Sequence, residues 1–168
     1  MSGNGEYQKG LLERMPKTIR KLFNWGRSFS LWPVHLVTGC CSPEYMQLFG
    51  PRYDLERWGV LPLASARQSD VMIFVGNVAR KMMIRAKKVY EQMPEPKWVY
   101  VVGACASSKG PFPESYSLIR VKDYMKVDMF VAGCPPKPES IHFGFLKLRE
   151  KVLNEVGMYE STGAIKST

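Results

Sequence analysis

The stretch Leu36-Val37-Thr38-Gly39-Cys40-Cys41-Ser42-Pro43-Glu44 reads as the end of a strand, a glycine turn carrying two adjacent cysteines, and the opening of a helix. Neighbouring alpha carbons stand about 3.8 Å apart across a trans peptide, whereas a relaxed disulfide wants roughly 4.4–6.8 Å. A bond between Cys40 and Cys41 would be strained. A structural zinc knuckle is a poor fit too, because it places two to four spacers between paired cysteines so that both sulfurs turn onto one small ion. An iron–sulfur cube is larger, and adjacent residues on a tight turn can reach two of its corners. Two more thiols complete such a set, and the chain has two, Cys105 and Cys134.

Working outward from that turn, apolar runs alternate with helical periods. Pro33–Val37 is the first predicted strand, and Ser42-Pro43-Glu44 opens a helix with Pro43 at its first position. Phe49–Asp54 breaks that helix, and residues 59–69 read as loop. Val71–Val75 is a second strand. Ala79–Met93 is amphipathic, apolar at Met82, Met83, Ala86, Val89, Tyr90 and Met93 and basic at Arg80, Lys81, Arg85, Lys87 and Lys88. Trp98–Val102 and Asp128–Ala132 are the third and fourth strands, and Glu139–Val156 the last helix. Strands alternating with helices predict an α/β fold, a mostly parallel sheet wrapped by helices.

On that reading the cysteines fall two to four residues past strand carboxyl ends. Cys40 and Cys41 follow the first strand, Cys105 the third and Cys134 the fourth. In an open parallel sheet those ends share one edge, where ligands bind. The turns suit a cluster: Gly103–Gly110 is rich in small residues whose amides can approach sulfide, and Cys134-Pro135 repeats a step known from iron–sulfur ligation. Thiols that were core filler would sit inside strands or helix faces.

Before the sheet, residues 11–29 place Leu11, Leu12, Met15, Ile19, Leu22 and Phe23 on one helical face and Arg14, Lys17, Arg20, Lys21 and Arg27 around it. Pro16 starts the predicted helix and Gly26 lies near its end. The expected organisation is therefore a basic amphipathic arm (1–29), an α/β domain (30–156) and a polar tail (157–168). The arm reads equally as part of the domain's own core or as a docking arm.

The 168 residues suffice for one domain with its own core, and 45% hydrophobic against 23% charged is a globular balance. No apolar run approaches the roughly 18 residues needed to span a bilayer. The opening residues lack a signal-peptide pattern, so a cytoplasmic address with reduced thiols is expected. A net charge of +9 asks for acidic partners. No basic run interleaves with aromatics on a nucleic-acid module, and no nucleic-acid partner is expected. Neither G-x-G-x-x-G nor a P-loop occurs, so nicotinamide and nucleoside triphosphate lack their usual cradles. His35 and His142, the only histidines, read as satisfied structural residues rather than as a base for Cys105. A chain with one cluster and no organic cofactor is expected to act as a subunit.

Several runs then resemble the B subunit of respiratory complex I over about residues 24–153. They are Asn24-Trp-Gly-Arg-Ser-Phe-Ser-Leu-Trp-Pro33, the tandem Cys40-Cys41, Arg52-Tyr-Asp-Leu-Glu-Arg-Trp-Gly59, Arg67-Gln-Ser-Asp70, Met93-Pro-Glu-Pro-Lys-Trp98, Gly103-Ala-Cys-Ala-Ser-Ser108, Tyr116-Ser117 and Gly133-Cys-Pro-Pro136. The chain is similar, more distantly, to the small subunit of nickel–iron hydrogenases, in which two spacers separate the residues matching Cys40 and Cys41. The resemblance implies a flavodoxin-like domain holding one 4Fe–4S cluster through Cys40, Cys41, Cys105 and Cys134, the last cluster of a peripheral arm. It implies an acceptor at the interface with a large hydrogenase-like subunit, a ferredoxin-type iron–sulfur subunit nearby, and ion-pumping membrane subunits at the base of the arm. The expected place is peripheral, on the cytoplasmic face of the cell membrane, with the basic arm at the boundary.

Glu44 is the acid nearest the tandem pair in sequence, and Asp54 and Asp70 stand at family-matched positions; all three are candidates for proton exchange beside the cluster. Arg67 is a candidate for raising its potential. The structural alternatives pair Asp54 with Arg52 or Arg57 and Asp70 with Arg67. Around the tandem pair the chain departs from respiratory relatives, with His35-Leu-Val-Thr-Gly39 before it and Ser42-Pro43-Glu44 after it. That departure favours the branch fed by ferredoxin and reducing sulfur species. The alternatives are a quinone-reducing complex I homologue fed by NADH or a reduced deazaflavin and, in another class, a structural zinc domain for protein interaction or nucleic-acid binding.

Overall fold

The computed structural model describes residues 16–62, 65–112 and 115–154. The expected polar tail and the apolar positions Leu11, Leu12 and Met15 lie outside them. Four strands, β1 (Pro33–Val37), β2 (Val71–Val75), β3 (Trp98–Val102) and β4 (Met129–Val131), form one sheet in the order β1-β2-β3-β4. Every pair is parallel, in registers such as Pro33 to Val71, Val71 to Trp98 and Tyr100 to Met129. All four carboxyl ends therefore share one edge.

The inner strands β2 and β3 are buried along their whole length, which is why they read as unbroken apolar runs. Alternation sends Val71, Ile73, Val75, Trp98, Tyr100 and Val102 to one face and Met72, Phe74, Val99 and Val101 to the other. The first face is covered by α2 (Cys41–Met46) and α5 (Pro138–Asn154), through Tyr45, Ile141, Phe145, Leu148 and Val152. The second is covered by α3 (Arg80–Gln92), through Met83 and Ala86, and by Ile119, Val121 and Met125. The methionine-bearing face of α3 is thus core. Together these layers make the α/β architecture that the alternating pattern predicts.

One contact fixes how α5 lies on the sheet. The Tyr100 hydroxyl donates to the Ile141 carbonyl at 2.8 Å, and its ring stacks on Phe145 with centroids 4.6 Å apart. Gly144 is required between them, because a Cβ there would meet the Tyr100 hydroxyl and stand 2.8 Å from Val131 Cγ2. A larger residue would lift the helix off the strand.

The amphipathic period of the arm is realised in α1 (Lys17–Ser28), which packs against α5. Pro16 stands just before the helix, where its missing N–H costs nothing. The helix runs to Ser28, two residues beyond Gly26, and Ser28 Oγ donates to the Trp25 carbonyl at 2.7 Å. Arg149 of α5 lies 3.6 Å over the Phe29 ring, a cation–π contact that ties the helix end down. Ile19, Leu22, Phe23 and Trp25 remain exposed, so α1 is only partly absorbed by the domain's own core.

Sequence and structure part at the short elements. The helix after the tandem pair begins at Cys41, which puts Pro43 at its third residue instead of its first. Strand β4 is trimmed to Met129–Val131 at an edge where only one neighbour holds it. A five-residue helix, α4 (Ala104–Ser108), replaces the turn expected around Cys105.

Candidate metal centre

The parallel sheet carries its cysteines to its carboxyl edge. Thr38 N–H leaves β1 by bonding Val75 O at 2.9 Å, and the chain then turns at Gly39 and Cys40 into α2, where Cys41 is the first residue. Gly103, beyond β3, has φ +95 and starts α4, so Cys105 is that helix's second residue. Gly133 and Cys134 follow β4 after Ala132 alone. These turns are sewn together: Gly103 N–H donates to Val131 O and Ala104 N–H to Gly133 O, at 2.9 and 2.8 Å.

All four thiols are free, Cys41 and Cys105 buried and Cys40 and Cys134 exposed. Cys41 Sγ lies 2.8 Å from the point where a Gly103 Cβ would stand, with Gly133 O and Gly76 Cα 3.9 Å from that same point. Burial first, then Cys40 hydrogen-bonded beside it, then Cys105 and Cys134 together push the Cys41 thiol up to about 12. Burial raises Cys105 as well, followed by the fields of Cys134 and Cys40. Each of the four thus lies within electrostatic reach of others in the set. Such a site resists thiolate formation until a cation is supplied.

The donor set fits a polynuclear thiolate-bound group. Two of the cysteines are exposed and two buried, and the buried pair lie against glycine backbone, Cys41 at Gly103 and Cys105 at Gly110. Among the described residues no three His, Cys, Asp or Glu side chains are grouped as ligands of one metal ion. The four sulfurs share an electrostatic field without forming a single-ion shell.

The acidic candidates divide between the two edges. Glu44 lies in the first turn of α2, three residues past Cys41, and its charge reaches Tyr53. Tyr53 donates to Glu139 in the first turn of α5, and Arg52 approaches the same carboxylate at 3.9 Å. The Tyr53 hydrogen bond holds Glu139 below the usual carboxylate range. Asp54 is exposed in the left-handed region at φ 42, and among the described residues it pairs with neither Arg52 nor Arg57. Tyr53 and Glu139 are 86 positions apart and carried no local signal. Their one clue was that Glu139 follows the Cys134-Pro-Pro turn closely.

Asp70 and Arg67 are corrected by their placement. Asp70 precedes β2, so it sits at the amino edge, about 16 Å of strand away from the cysteines. Arg67 lies exposed on the turn Ala66–Gln68 leading to that same end. Neither stands beside the thiols. The neighbour of Asp70 is Arg27 of α1, across an open cleft of about 350 Å³ that Leu22, Phe23, Gly26 and Ser30 also line. Burial raises the Asp70 carboxyl to about 6 against the opposing pull of the Trp32 N–H and Arg27.

The histidines are where the sequence placed them, in β1 and α5, but they are not fully satisfied. His35 Nδ1 and His142 Nε2 lack hydrogen-bond partners among the described residues, and burial lowers both rings' basicity.

Comparison with known proteins agrees with this geometry. Residues 39–148 match the family described as NADH ubiquinone oxidoreductase, 20 Kd subunit. The chain is 42% identical over 146 residues to the B subunit of NADH-quinone oxidoreductase from Citrifermentans bemidjiense, covering 86% of this chain and 85% of that one. The corresponding protein of a Geobacter strain matches equally well. Among solved structures, a chain of the membrane-bound sulfane sulfur reductase, an archaeal respiratory membrane complex, superposes with a TM-score of 0.76 at 40% identity, over 80% of this chain and 77% of that one. The nickel–iron–selenium hydrogenase of Dm. baculatum shares the fold alone, with a TM-score of 0.56 at 15% identity over 74% and 64%.

Proposed function

The chain belongs to the NADH ubiquinone oxidoreductase 20 kDa subunit family of respiratory oxidoreductases, and from that premise we propose that it is the electron-relay subunit of a membrane-bound complex. In this reading Cys40, Cys41, Cys105 and Cys134 hold one 4Fe–4S cluster. The observation that carries it is the placement of all four cysteines just beyond the carboxyl ends of parallel strands, at one sheet edge. A bound cluster would supply one-electron chemistry at a site with no organic cofactor.

The chain's own residues do the rest. Gly103 and Gly133 carry no side chain, so the backbone of both turns can come close to a thiolate-bound group, a proximity that tunes potential. Glu44 and the Tyr53–Glu139–Arg52 group form a proton-exchanging rim on the α2 and α5 side, with Asp54 on the same loop as Tyr53. Phe23, Trp25 and their neighbours on α1 offer an apolar surface to the membrane subunits, and no helix among the described residues is long and apolar enough to cross the bilayer itself. The complex lies at the cytoplasmic face, a large hydrogenase-like subunit closes the acceptor site, and a ferredoxin-type subunit feeds it.

For the acceptor we propose sulfane sulfur, with ferredoxin as donor and ion pumping as output. Support comes from the superposition on the sulfane sulfur reductase chain and from the substituted flanks of the tandem pair. The second reading, quinone reduction, is favoured by the 42% identity to the NADH-quinone oxidoreductase relatives. This chain, purified anaerobically apart from its companion subunits, should contain about four irons and four labile sulfides. Both should be lost on Cys105→Ser. A colourless chain with one zinc would sink the relay reading. Polysulfide reduction driven by reduced ferredoxin, with quinone inert, is the expected result, and the reverse selects the second reading.

A further inference from the structure

Helix α3 carries its charges against its own dipole. Helix N-termini favour acids, yet the first turn of α3 has no acid and begins with Arg80 and Lys81. No basic residue occupies the last turn, where Glu91 stands instead. Arg80, Lys81, Ile84, Arg85 and Lys88 are exposed, and their spacing of three or four lines them along one outer strip. Among the described residues none of the four cations pairs with an acid. Meanwhile Met83 and Ala86 bury the inner face. Folding alone gives no reason for this arrangement, since it opposes the dipole and sets like charges one turn apart.

The strip also begins at the cysteine edge. The turn from β2 into α3 is bonded to the turn before Cys40, where Thr38 Oγ1 donates to Val75 O and Asn77 O at 2.9 and 2.5 Å. A lipid surface would ask for large apolar groups among the cations, and Ile84 is the strip's one such side chain, whereas α1 holds them on the sheet's other face. Nucleic acid would ask for aromatic groups, and the strip has none. An acidic protein asks for this charge and little else, because exposed charge steers encounter and orients the partner.

We infer that the Arg80, Lys81, Arg85 and Lys88 strip of α3 docks an acidic, electron-delivering protein and turns it toward the cysteine edge. The inference rests on the relay reading above and adds to it the face on which the donor lands.

The test uses the full chain with its cluster reconstituted anaerobically. The probes are an acidic two-cluster ferredoxin, vesicles of equimolar phosphatidylcholine and phosphatidylglycerol, and a short DNA duplex. Ferredoxin should bind with an affinity that falls as salt rises, and Arg80→Glu with Lys81→Glu should weaken it about tenfold or more. The same reversal should leave iron content and vesicle binding unchanged and should raise the melting temperature, because acids replace cations at the helix start. Arg80→Gln with Lys81→Gln gives the same reading without charge inversion. Equal ferredoxin affinity in an iron-loaded reversal variant overturns the docking inference alone, as does a loss confined to vesicles or DNA. A wild-type chain that takes up no iron overturns the relay reading and the inference with it.

Discussion

Cys41 Sγ and Gly103 interlock: the sulfur stands 2.8 Å from where a β-carbon on residue 103 would project. Gly103 also adopts φ +95 with ψ 155, a conformation open essentially to glycine alone. Gly103→Ala should therefore displace the thiol and strain the β3–α4 turn together. We expect a loss of about 1–3 kcal/mol in urea unfolding, with iron per chain dropping in parallel. Full iron retention in a destabilised variant would show that the sulfur's position is not set by this contact.

Gly144 and Tyr100 should behave as a matched pair on the same face of the sheet. Gly144→Ala drives a methyl into the Tyr100 hydroxyl and Val131, and should cost about 2 kcal/mol. Tyr100→Phe removes only the bond to the Ile141 carbonyl and should cost about 1 kcal/mol. Combining them should cost less than the sum, since the phenylalanine relieves part of the clash. Denaturant midpoints of the two single variants and the double variant decide it.

Asp70 makes stability depend on pH in a defined direction. Its carboxyl is raised in the fold from 3.8 to about 6, chiefly by burial. Across that window the folded state keeps a proton that the unfolded chain has released, so stability falls as pH rises and levels off above about 6. Solvent screening of this partly exposed group holds the effect to about 1 kcal/mol. Asp70→Asn keeps an acceptor for the Trp32 N–H and removes the ionisation. From about pH 4 to about pH 7 the variant should gain on wild type by that amount, measured by urea midpoints. A constant gap would refute it.

At the half-exposed rim, Tyr53→Phe should leave stability unchanged while the Glu139 carboxyl climbs back toward the ordinary range. The hydroxyl's bond is the largest cause of its depression. A carbon-detected NMR titration of Glu139 in both proteins reads the shift directly, and an unmoved titration would place the cause in Arg52 or Lys137.

The parts of this fold legible in sequence were those with a long or exclusive signal. Strands β1, β2 and β3 were delimited to the residue because apolar runs of five end at glycine, threonine or proline-rich turns. Helix α3 followed from its period over thirteen residues. Helix α4 had no such signal, because five small residues complete barely one turn and show no period. The cysteines were placed on one edge by a rule about strand ends, and the same rule, applied to Asp70, would have put it on the other. Family-matched position drew it toward the thiols instead. Contacts such as Tyr53 with Glu139 depend on how α5 is laid across the sheet, which no local pattern encodes.

The four thiols hang from three strands, and the last of them follows β4, the shortest strand and one that a single neighbour holds. Keeping the set together therefore depends on the weakest-held piece of the sheet: whatever frays β4 parts Cys134 from its three companions while the rest of the domain stays folded.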